Sequence, residues 1–214
     1  MKNFYIHFDK QNFGDAVNRR FWETFIGEKI IATREDDHYI TTGSIMSFCN
    51  DKSIVFGTGF ITAFDNIGNE WDSSKPEVHP KKVIAVRGPL TRDRLLAKGV
   101  SCPKVYGDPL IMFPAIYNLS KPQKKNLIGI LPHYWDEHTK CNNIQILKTN
   151  LEEKGYKVNI LSMVVGDDYE KLINDISECD YVVTSALHGL ILSLAYKVKT
   201  VLVDFSEERL NNWG

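Results

Sequence analysis

The stretch Thr184-Ser185-Ala186-Leu187-His188-Gly189 places two hydroxyls, an imidazole and a glycine between two apolar runs. The run before it, 181–183, is short and β-branched, which predicts a buried strand, and residues 190–196 predict a buried helix. A strand that turns directly into a helix leaves unpaired N–H groups beside the positive end of the helix dipole, and such an end binds anions. Ser185 is the predicted N-cap, and we expect His188 to point at the same place. A buried helix with a satisfied core histidine is the alternative interpretation.

Arg87 is a second candidate for anion binding, in the segment Arg87-Gly88-Pro89-Leu90-Thr91 after a predicted strand. Pro89 suits the first turn of a helix, which is expected to end at Gly99. A guanidinium fixed on a strand-to-helix turn can bind a carboxylate or phosphate through two parallel hydrogen bonds. Because Asp93 and two further arginines are close in sequence, a surface ion pair is the alternative for this residue.

Near the N-terminus, Asn12-Phe13-Gly14-Asp15 separates a predicted strand from a predicted helix. Gly14 permits an unusual backbone angle there, and Asp15 can cap the helix, although a simple capping signal would look the same. Ligands of parallel α/β sheets gather at the carboxyl ends of the strands. The residues expected at those ends are Asn12, Gly14, Asp15, Gly43, Ser44, Gly57, Thr58, Gly59, Arg87, Asp108, His133, Ser185 and His188. Together they predict a cleft between two domains, with anion-binding groups on both sides.

Strands and helices alternate along the chain, which predicts an α/β fold with parallel sheets and right-handed crossovers. The predicted strands are 3–8, 29–32, 39–45, a run from 53 that ends at Gly57-Thr58-Gly59, 82–86, 104–106, 127–131, 157–161, 181–183 and 200–205. The predicted helices are 16–26, 89–98, 144–154, 169–176 with Asp167 or Asp168 as cap, and 190–196. Residues 60–80 are expected to form an irregular insertion at the ligand edge. A composition shift at 114–125 predicts a linker between two Rossmann-like domains, 1–118 and 124–214.

The composition excludes several functional classes. The chain has 214 residues and a net charge of −1, so there is no electrostatic case for nucleic acid binding. Its four cysteines form no C-x-x-C pair, which argues against a zinc site and favours reduced thiols in the cytoplasm. No signal peptide is expected, and the longest apolar stretch, 181–196, is shorter than the roughly 20 residues of a membrane span. The dinucleotide fingerprint G-x-G-x-x-G is missing, which argues against a classical NAD site.

An ordered set of motifs spans nearly the whole chain. The motifs are Asn12-Phe13-Gly14-Asp15, Gly43-Ser44, Phe56-Gly57-Thr58-Gly59, Val86-Arg87-Gly88-Pro89-Leu90-Thr91, Gly107-Asp108-Pro109, Ile128-Gly129-Ile130-Leu131-Pro132-His133-Tyr134 and Ser185-Ala186-Leu187-His188-Gly189. Each motif alone is weak, but their order is specific. With this ordered set the chain resembles the polysaccharide pyruvyl transferase family.

The resemblance implies a GT-B-like arrangement of two Rossmann-like domains, with 1–118 on the acceptor side and 124–214 on the phosphoenolpyruvate side. It implies a cytoplasmic transferase in exopolysaccharide, capsule or cell-wall polysaccharide biosynthesis. The donor substrate would be phosphoenolpyruvate, the product a pyruvate ketal on two sugar hydroxyls, and no cofactor or metal would be needed. The acceptor would be a saccharide, and a lipid-linked one would bring the protein into peripheral contact with a membrane.

The resemblance assigns the binding of phosphoenolpyruvate to Arg87 and His188. The reaction also needs a general acid, a base and groups that bind phosphate. His133 and Asp15 are the candidates for proton transfer or for binding a sugar hydroxyl, so the predicted catalytic set is these four residues. The predicted substrate-binding residues are Asn12, Gly14, Ser44, Gly57, Thr58, Gly59, Asp108, Ser185, Leu187 and Gly189.

The chain departs from the family pattern at its end, because it stops at Gly214 where the family continues with more helix. We therefore expect a second domain that is short or truncated. Two other functions stay open at this stage: a GT-B glycosyltransferase that uses a nucleotide sugar, and a non-catalytic binding subunit. The fold alone does not distinguish these from a pyruvyl transferase.

Overall fold

A computed structural model describes residues 1–6, 12–62, 66–69, 76–119, 125–166 and 168–206. The described residues form a mixed α/β protein with two sheets, one of five strands and one of four, and every strand pair is parallel. The predicted α/β class with parallel sheets is confirmed. The GT-B-like arrangement and the Rossmann-like character of the halves stay predictions.

Contacts between Cα atoms divide the chain into two compact units. Within the described residues, unit 1 comprises 1–6 and 18–109, and unit 2 comprises 12–17 and 110–206. Helix α1, Phe13–Ile26, therefore starts in unit 2 and ends in unit 1. The domain boundaries expected from the sequence, 1–118 and 124–214, stay predictions, and most of the expected linker (120–124) lies outside the described residues.

Unit 1 is built on the five-stranded sheet, whose order is β2-β1-β3-β4-β5. Its strands are β1 (Lys2–Phe4), β2 (Ile30–Ala32), β3 (His38–Ile40), β4 (Ser53–Phe56) and β5 (Lys82–Ala85). Helix α2 (Pro89–Ala97) follows β5, and a short 3₁₀ helix spans Met46–Phe48. Apolar side chains from alternate strand positions and from α2 form a buried core that includes Ile40, Val55, Val83 and Leu95.

Unit 2 is built on the four-stranded sheet, whose order is β7-β6-β8-β9. Its strands are β6 (Leu127–Leu131), β7 (Lys157–Ile160), β8 (Tyr181–Thr184) and β9 (Lys199–Leu202). Its helices are α3 (Tyr134–His138), α4 (Asn142–Glu153), α5 (Tyr169–Glu178) and α6 (Leu187–Ala195), and a 3₁₀ helix spans Pro109–Ala115 across the boundary of the units. All five residues of β6 are buried, as expected for a central parallel strand.

Several elements differ from their predicted form. Residues 104–106 make a single bridge, Val86 to Tyr106, where a strand was expected, and the run 110–113 lies in a 3₁₀ helix. The pattern did not predict α3 at all. Helix α6 is not buried on every side, because Leu194 is 53% exposed. The last two residues of the expected strand 3–8, the alternative cap Asp167 and the chain end at Gly214 lie outside the described residues, and Asp168 caps α5 by accepting a bond from Lys171 N.

Candidate functional site

Helix α6 begins at Leu187, three residues before the predicted start, and its cap also differs from the predicted one. The N-cap residue is Ala186, so the prediction of Ser185 as N-cap is wrong. Alanine has no side-chain acceptor, so the N-cap makes no side-chain bond to the first amides of α6. The start of α6 therefore presents the positive end of its helix dipole, which favours an anion.

Ser185 instead joins the turn after β8 to the turn after β6. Its Oγ accepts a hydrogen bond from His133 N at 2.8 Å and donates one to the buried Asp136 carboxylate. Thr184 reinforces the same junction, since its Oγ1 donates to Leu131 O at 2.7 Å. The two hydroxyls thus fix the two turns at the carboxyl edge of this sheet.

The imidazole of His188 lies directly against the backbone of Gly14. A Cβ built on Gly14 would be 2.1 Å from Cε1 and 2.2 Å from Nδ1 of His188, so only glycine fits at this position. His188 is 8% exposed and sits in the first turn of α6, while Gly14 sits in the first turn of α1. The structure thus brings together the starts of two helices from opposite ends of the sequence, within unit 2.

The start of α1 is held by hydrogen bonds from its own surroundings. Asn12 Oδ1 accepts from Gly14 N at 3.3 Å, and Met163 O accepts from Phe13 N at 3.0 Å. Asn12 therefore provides the capping bond expected from Asp15, which lies half-buried inside the helix. Since these amides of α1 have partners, α1 contributes its dipole to the site.

His133 stands at the N-cap of α3. Its Nδ1 accepts a hydrogen bond from Trp135 N at 3.3 Å, so in the neutral ring the proton is on Nε2. The ring of His133 packs on that of Tyr134, with 4.5 Å between the centroids. This geometry makes His133 Nε2–H a donor at the carboxyl end of β6, which suits proton transfer or the binding of a hydroxyl.

Sequence reasoning missed two carboxylates on α3. Asp136 is fully buried against Ser185, and Glu137 accepts hydrogen bonds from Met163 N at 2.8 Å and Ser162 Oγ at 2.6 Å. Burial raises the pKa of Glu137, although its bonds to Ser162 and Met163 oppose that shift. Acidic residues directly after a candidate cap are a helix-start signal, which could have indicated α3.

In unit 1, Arg87 extends over the turn that follows β4. Its guanidinium donates to Phe60 O at 3.0 Å, and its backbone N donates to Thr58 O at 3.0 Å. Burial lowers the pKa of Arg87, and the charge of the buried Asp108 opposes that shift. The expected alternative, a surface ion pair with Asp93, is made by Arg92 instead.

Gly59 allows Arg87 to approach the backbone. A Cβ there would be 3.0 Å from an Arg87 guanidinium nitrogen and 3.0 Å from Thr91 Oγ1. Arg94 adds a second cation, since its guanidinium carbon lies 4.2 Å from the centroid of the Phe60 ring and it donates to Thr62 O. Arg94 and Thr91 were not predicted as site residues, because their partners are distant in sequence.

The other predicted residues of unit 1 shape the turns. Thr58 Oγ1 donates to Gly43 O at 2.7 Å and accepts from Ile45 N, while Ser44 is half-buried in the turn after β3. Gly57 has φ +93°, and a Cβ there would be 2.4 Å from Pro109. These contacts explain the glycine and the threonine structurally, and a role in substrate binding stays a prediction.

The structure therefore groups the predicted residues in two sets, one at the carboxyl edge of each sheet. Leu187 is 39% exposed at the start of α6, and Gly189 packs on Thr184 and Leu131. The unit 2 set is Asn12, Gly14, Asp15, His133, Ser185, Leu187, His188 and Gly189, and the unit 1 set is Ser44, Gly57, Thr58, Gly59, Arg87 and Asp108. The predicted cleft between domains stays a prediction.

No group of three or more His, Cys, Asp or Glu side chains within the described ranges could hold a metal ion. No helix in the same part of the chain is long and apolar enough to cross a membrane.

Parallel sheets with a cationic group and helix starts at their carboxyl edges define an α/β protein that is suited to anionic ligands. Comparison with known proteins is more specific. Residues 4–207 match the sequence profile of the polysaccharide pyruvyl transferase family, and the chain belongs to that family. An uncharacterized protein of Acanthamoeba polyphaga mimivirus is 26% identical over 219 residues, which cover 98% of this chain and 70% of the relative. No solved structure matches the chain.

Proposed function

We propose that this protein transfers the pyruvyl group of phosphoenolpyruvate to two hydroxyls of a saccharide in polysaccharide biosynthesis. Family membership supports the reaction type. The observation that carries the proposal is the start of α6, where the His188 ring lies in the first turn against the backbone of Gly14. The positive end of a helix dipole with an imidazole beside it suits the phosphate of this donor.

The proposed reaction begins with protonation of phosphoenolpyruvate and ends with closure of the ketal. Protonation of the methylene carbon of phosphoenolpyruvate gives an oxocarbenium-like centre at C2, which a sugar hydroxyl attacks as it loses its proton. The C2–O bond to phosphate then breaks, inorganic phosphate departs, and a second hydroxyl closes the ketal. No oxidant or reductant is consumed. The residues must supply a proton, accept protons and stabilise the charge of the departing phosphate.

We assign phosphate binding to His188 and the positive end of the α6 dipole, and proton donation to the leaving phosphate to His188. His133, with its Nε2–H donor, and Asp15 are assigned to proton transfer or to the binding of a sugar hydroxyl. Arg87 is the second donor-binding residue by family resemblance, and a guanidinium suits a carboxylate because the fork geometries match. The remaining predicted residues, which include Leu187 and Gly189, are proposed to shape the binding surfaces.

Calorimetry with phosphoenolpyruvate tests the donor directly. The full chain should bind it, and His188→Gln should weaken binding about tenfold or more, as expected when a hydrogen bond to a charged group is lost. His138→Gln is the matched control, because His138 is exposed on α3 in the same unit. Arg87→Ala is titrated separately. If the wild-type chain does not bind phosphoenolpyruvate, the proposal fails.

A second assay separates the alternatives. Phosphate release is followed with nucleotide-linked and lipid-linked sugar acceptors, and uridine diphosphate is titrated as a competing ligand. Tighter binding of the diphosphate than of phosphoenolpyruvate would favour a glycosyltransferase. Phosphoenolpyruvate binding without release across the whole acceptor panel is the result expected of a non-catalytic subunit.

A further inference from the structure

Helix α3 carries two adjacent carboxylates that contact two different segments of unit 2. The Asp136 carboxylate accepts a hydrogen bond from the Ser185 hydroxyl. Ser185 Oγ in turn accepts a hydrogen bond from His133 N at 2.8 Å. Ser185 directly precedes the N-cap of α6, so this bond fixes the turn from which His188 emerges. Asp136 is fully buried, so its orientation is set by this environment and not by solvent.

Glu137 contacts the loop after β7. Its two carboxylate oxygens accept from Met163 N at 2.8 Å and from Ser162 Oγ at 2.6 Å. The Ser162 Oγ also accepts from Val164 N at 2.9 Å, which closes the loop on itself. Hydrogen bonds to a charged acceptor are stronger than neutral ones, so this carboxylate defines the position of the loop.

The same loop holds the start of α1. The carbonyl of Met163 accepts from Phe13 N at 3.0 Å, and the Phe13 ring packs on Phe113 with 6.1 Å between centroids. Gly14 is the next residue, and it is the residue that contacts the His188 ring. The hydrogen bonds of Asp136 therefore lead to the segment that carries His188, and those of Glu137 lead to the segment that carries Gly14. These are the two residues that contact each other.

We propose that α3 is the positioning element of the anion site, with Asp136 fixing the His188 side and Glu137 fixing the Gly14 side. Neither carboxylate is proposed to touch the substrate. The identity of the anion rests on the proposed function, but the positioning of Gly14 by Glu137 does not.

The length of α3 supports this assignment. A helix of five residues is far below the length at which an isolated helix is stable in water, so α3 depends on its tertiary bonds. Partial burial raises the pKa of Glu137, and the hydrogen bonds from Ser162 and Met163 offset the cost of desolvating this half-buried carboxylate. A carboxylate that served only to interact with solvent would not need hydrogen bonds from Ser162 and Met163.

The test compares three variants of the full chain: Glu137→Ala, Glu137→Gln and the control Glu153→Ala, which removes an exposed carboxylate from α4. Hydrogen exchange is measured by mass spectrometry on a peptide that covers residues 12–20 and on a peptide that covers β4 in unit 1. Binding of phosphoenolpyruvate is measured by calorimetry on the same samples. The glutamine variant keeps an acceptor oxygen for Met163 N, so it should restore much of the wild-type behaviour.

We expect Glu137→Ala to speed exchange in residues 12–16 about tenfold or more, while β4 exchanges as in the wild type, since one charged hydrogen bond is worth at least that factor. Affinity for phosphoenolpyruvate should fall by a similar factor and recover in Glu137→Gln. Unchanged exchange in residues 12–16 would overturn the proposal. Faster exchange with wild-type affinity would overturn it as well.

Failure of the proposed function gives a different result. If the wild-type chain binds no phosphoenolpyruvate, the donor assignment is lost, and the exchange data alone decide whether Glu137 positions Gly14. If Glu137→Ala does not fold, Ser162→Ala provides the smaller perturbation, because it removes one of the two bonds to the carboxylate. In that variant, wild-type exchange in residues 12–16 counts against the proposal.

Discussion

The carboxyl edges of the two sheets differ in the source of their positive character. In unit 1 the cation is a side chain, Arg87, held by the Phe60 carbonyl and by the charge of buried Asp108. In unit 2 the positive character comes from the start of α6, with the imidazole of His188 placed by contact with Gly14. One edge relies on a fixed charge, and the other relies on backbone dipoles and steric fit.

Because of this difference, the two edges should respond differently to substitutions. A guanidinium is protonated at every physiological pH, so the positive charge at the unit 1 edge should be lost only when Arg87 itself is replaced. At the unit 2 edge the His188 ring lies against the Gly14 backbone, so this contact should be lost when volume is added at Gly14. Substitutions in the two units test this distinction, from the largest expected effect to the smallest.

Removing the charge of Arg87 should lower the stability of unit 1 the most. Arg87→Met removes the charged donor of the hydrogen bond to Phe60 O, and the free energy of unfolding should fall by about 2 to 3 kcal/mol. Since the charge of Asp108 acts on Arg87, the double variant Arg87→Met with Asp108→Asn should recover part of that loss, yet should not recover binding of phosphoenolpyruvate. Denaturant titration of the three proteins checks this. Equal stability of the single and the double variant would show that the two residues are not coupled.

Adding one methyl group at Gly14 should destabilise unit 2. Gly14→Ala places a Cβ within 2.8 Å of three atoms of the His188 ring, so the ring or the helix must shift, at a cost of about 2 kcal/mol. The control is Gly88→Ala, where a Cβ meets nothing within 4 Å and φ is −160°, and its melting temperature should match the wild type. A Gly14→Ala protein as stable as the control would contradict the close contact.

Two buried threonine hydroxyls of unit 1 should differ in their contribution to the free energy of unfolding. Thr58→Val removes the bond to Gly43 O and the acceptor of Ile45 N, which should cost about 1 to 2 kcal/mol. Thr42 is also fully buried, but its Oγ1 has no hydrogen-bond partner among the described residues, so Thr42→Val should be neutral or stabilising. Urea unfolding of both variants provides the measurement. Equal losses would mean that the fixed turn after β4 is not maintained by Thr58.

A pH series should reveal a titrating group in unit 1 away from Arg87. Burial lowers the pKa of His38, whose Nδ1–H donates to Asp36 O and whose Nε2 lies 3.0 Å from Ser53 Oγ. The unfolded chain therefore takes up a proton as the pH falls below about 6.5, while the folded chain does so only at lower pH. This contribution is fully present above pH 6.5 and is lost on acidification.

The expected effect of that titration is at most about 1.4 kcal/mol per pH unit. The wild type should lose more stability between pH 7.5 and 5.5 than His38→Gln, measured by denaturant titration at each pH. If both proteins lose the same amount, His38 is not the group responsible.

The local part of the fold could be read from the sequence. The predicted strand 127–131 coincides with β6 at both ends. Pro89 starts α2 as predicted, because its fixed φ and missing N–H suit a first helical turn. The clustering of glycines and polar residues after strands also placed Arg87 and His188 at sheet edges. These features depend on residues that are neighbours in the chain.

The features that could not be predicted depend on distant partners. Whether Ser185 caps α6 or bonds to His133 and Asp136 is decided by residues about 50 positions away, at the start of α3. The contact between Gly14 and His188 leaves no periodic signal, because each residue looks like an ordinary helix start. The membership of residues 12–17 in unit 2 is a property of contacts and not of composition.

That membership has a consequence for the synthesis of the protein. About 170 residues separate Gly14 from His188, so the segment that completes unit 2 leaves the ribosome long before its partners exist. At translation rates of roughly 5 to 20 residues per second, it waits on the order of ten to thirty seconds. During that interval the Phe13 side chain, fully buried in the finished protein, has no native cavity to enter. The first turn of α1 is thus among the earliest parts to be made and among the last that can reach their native contacts.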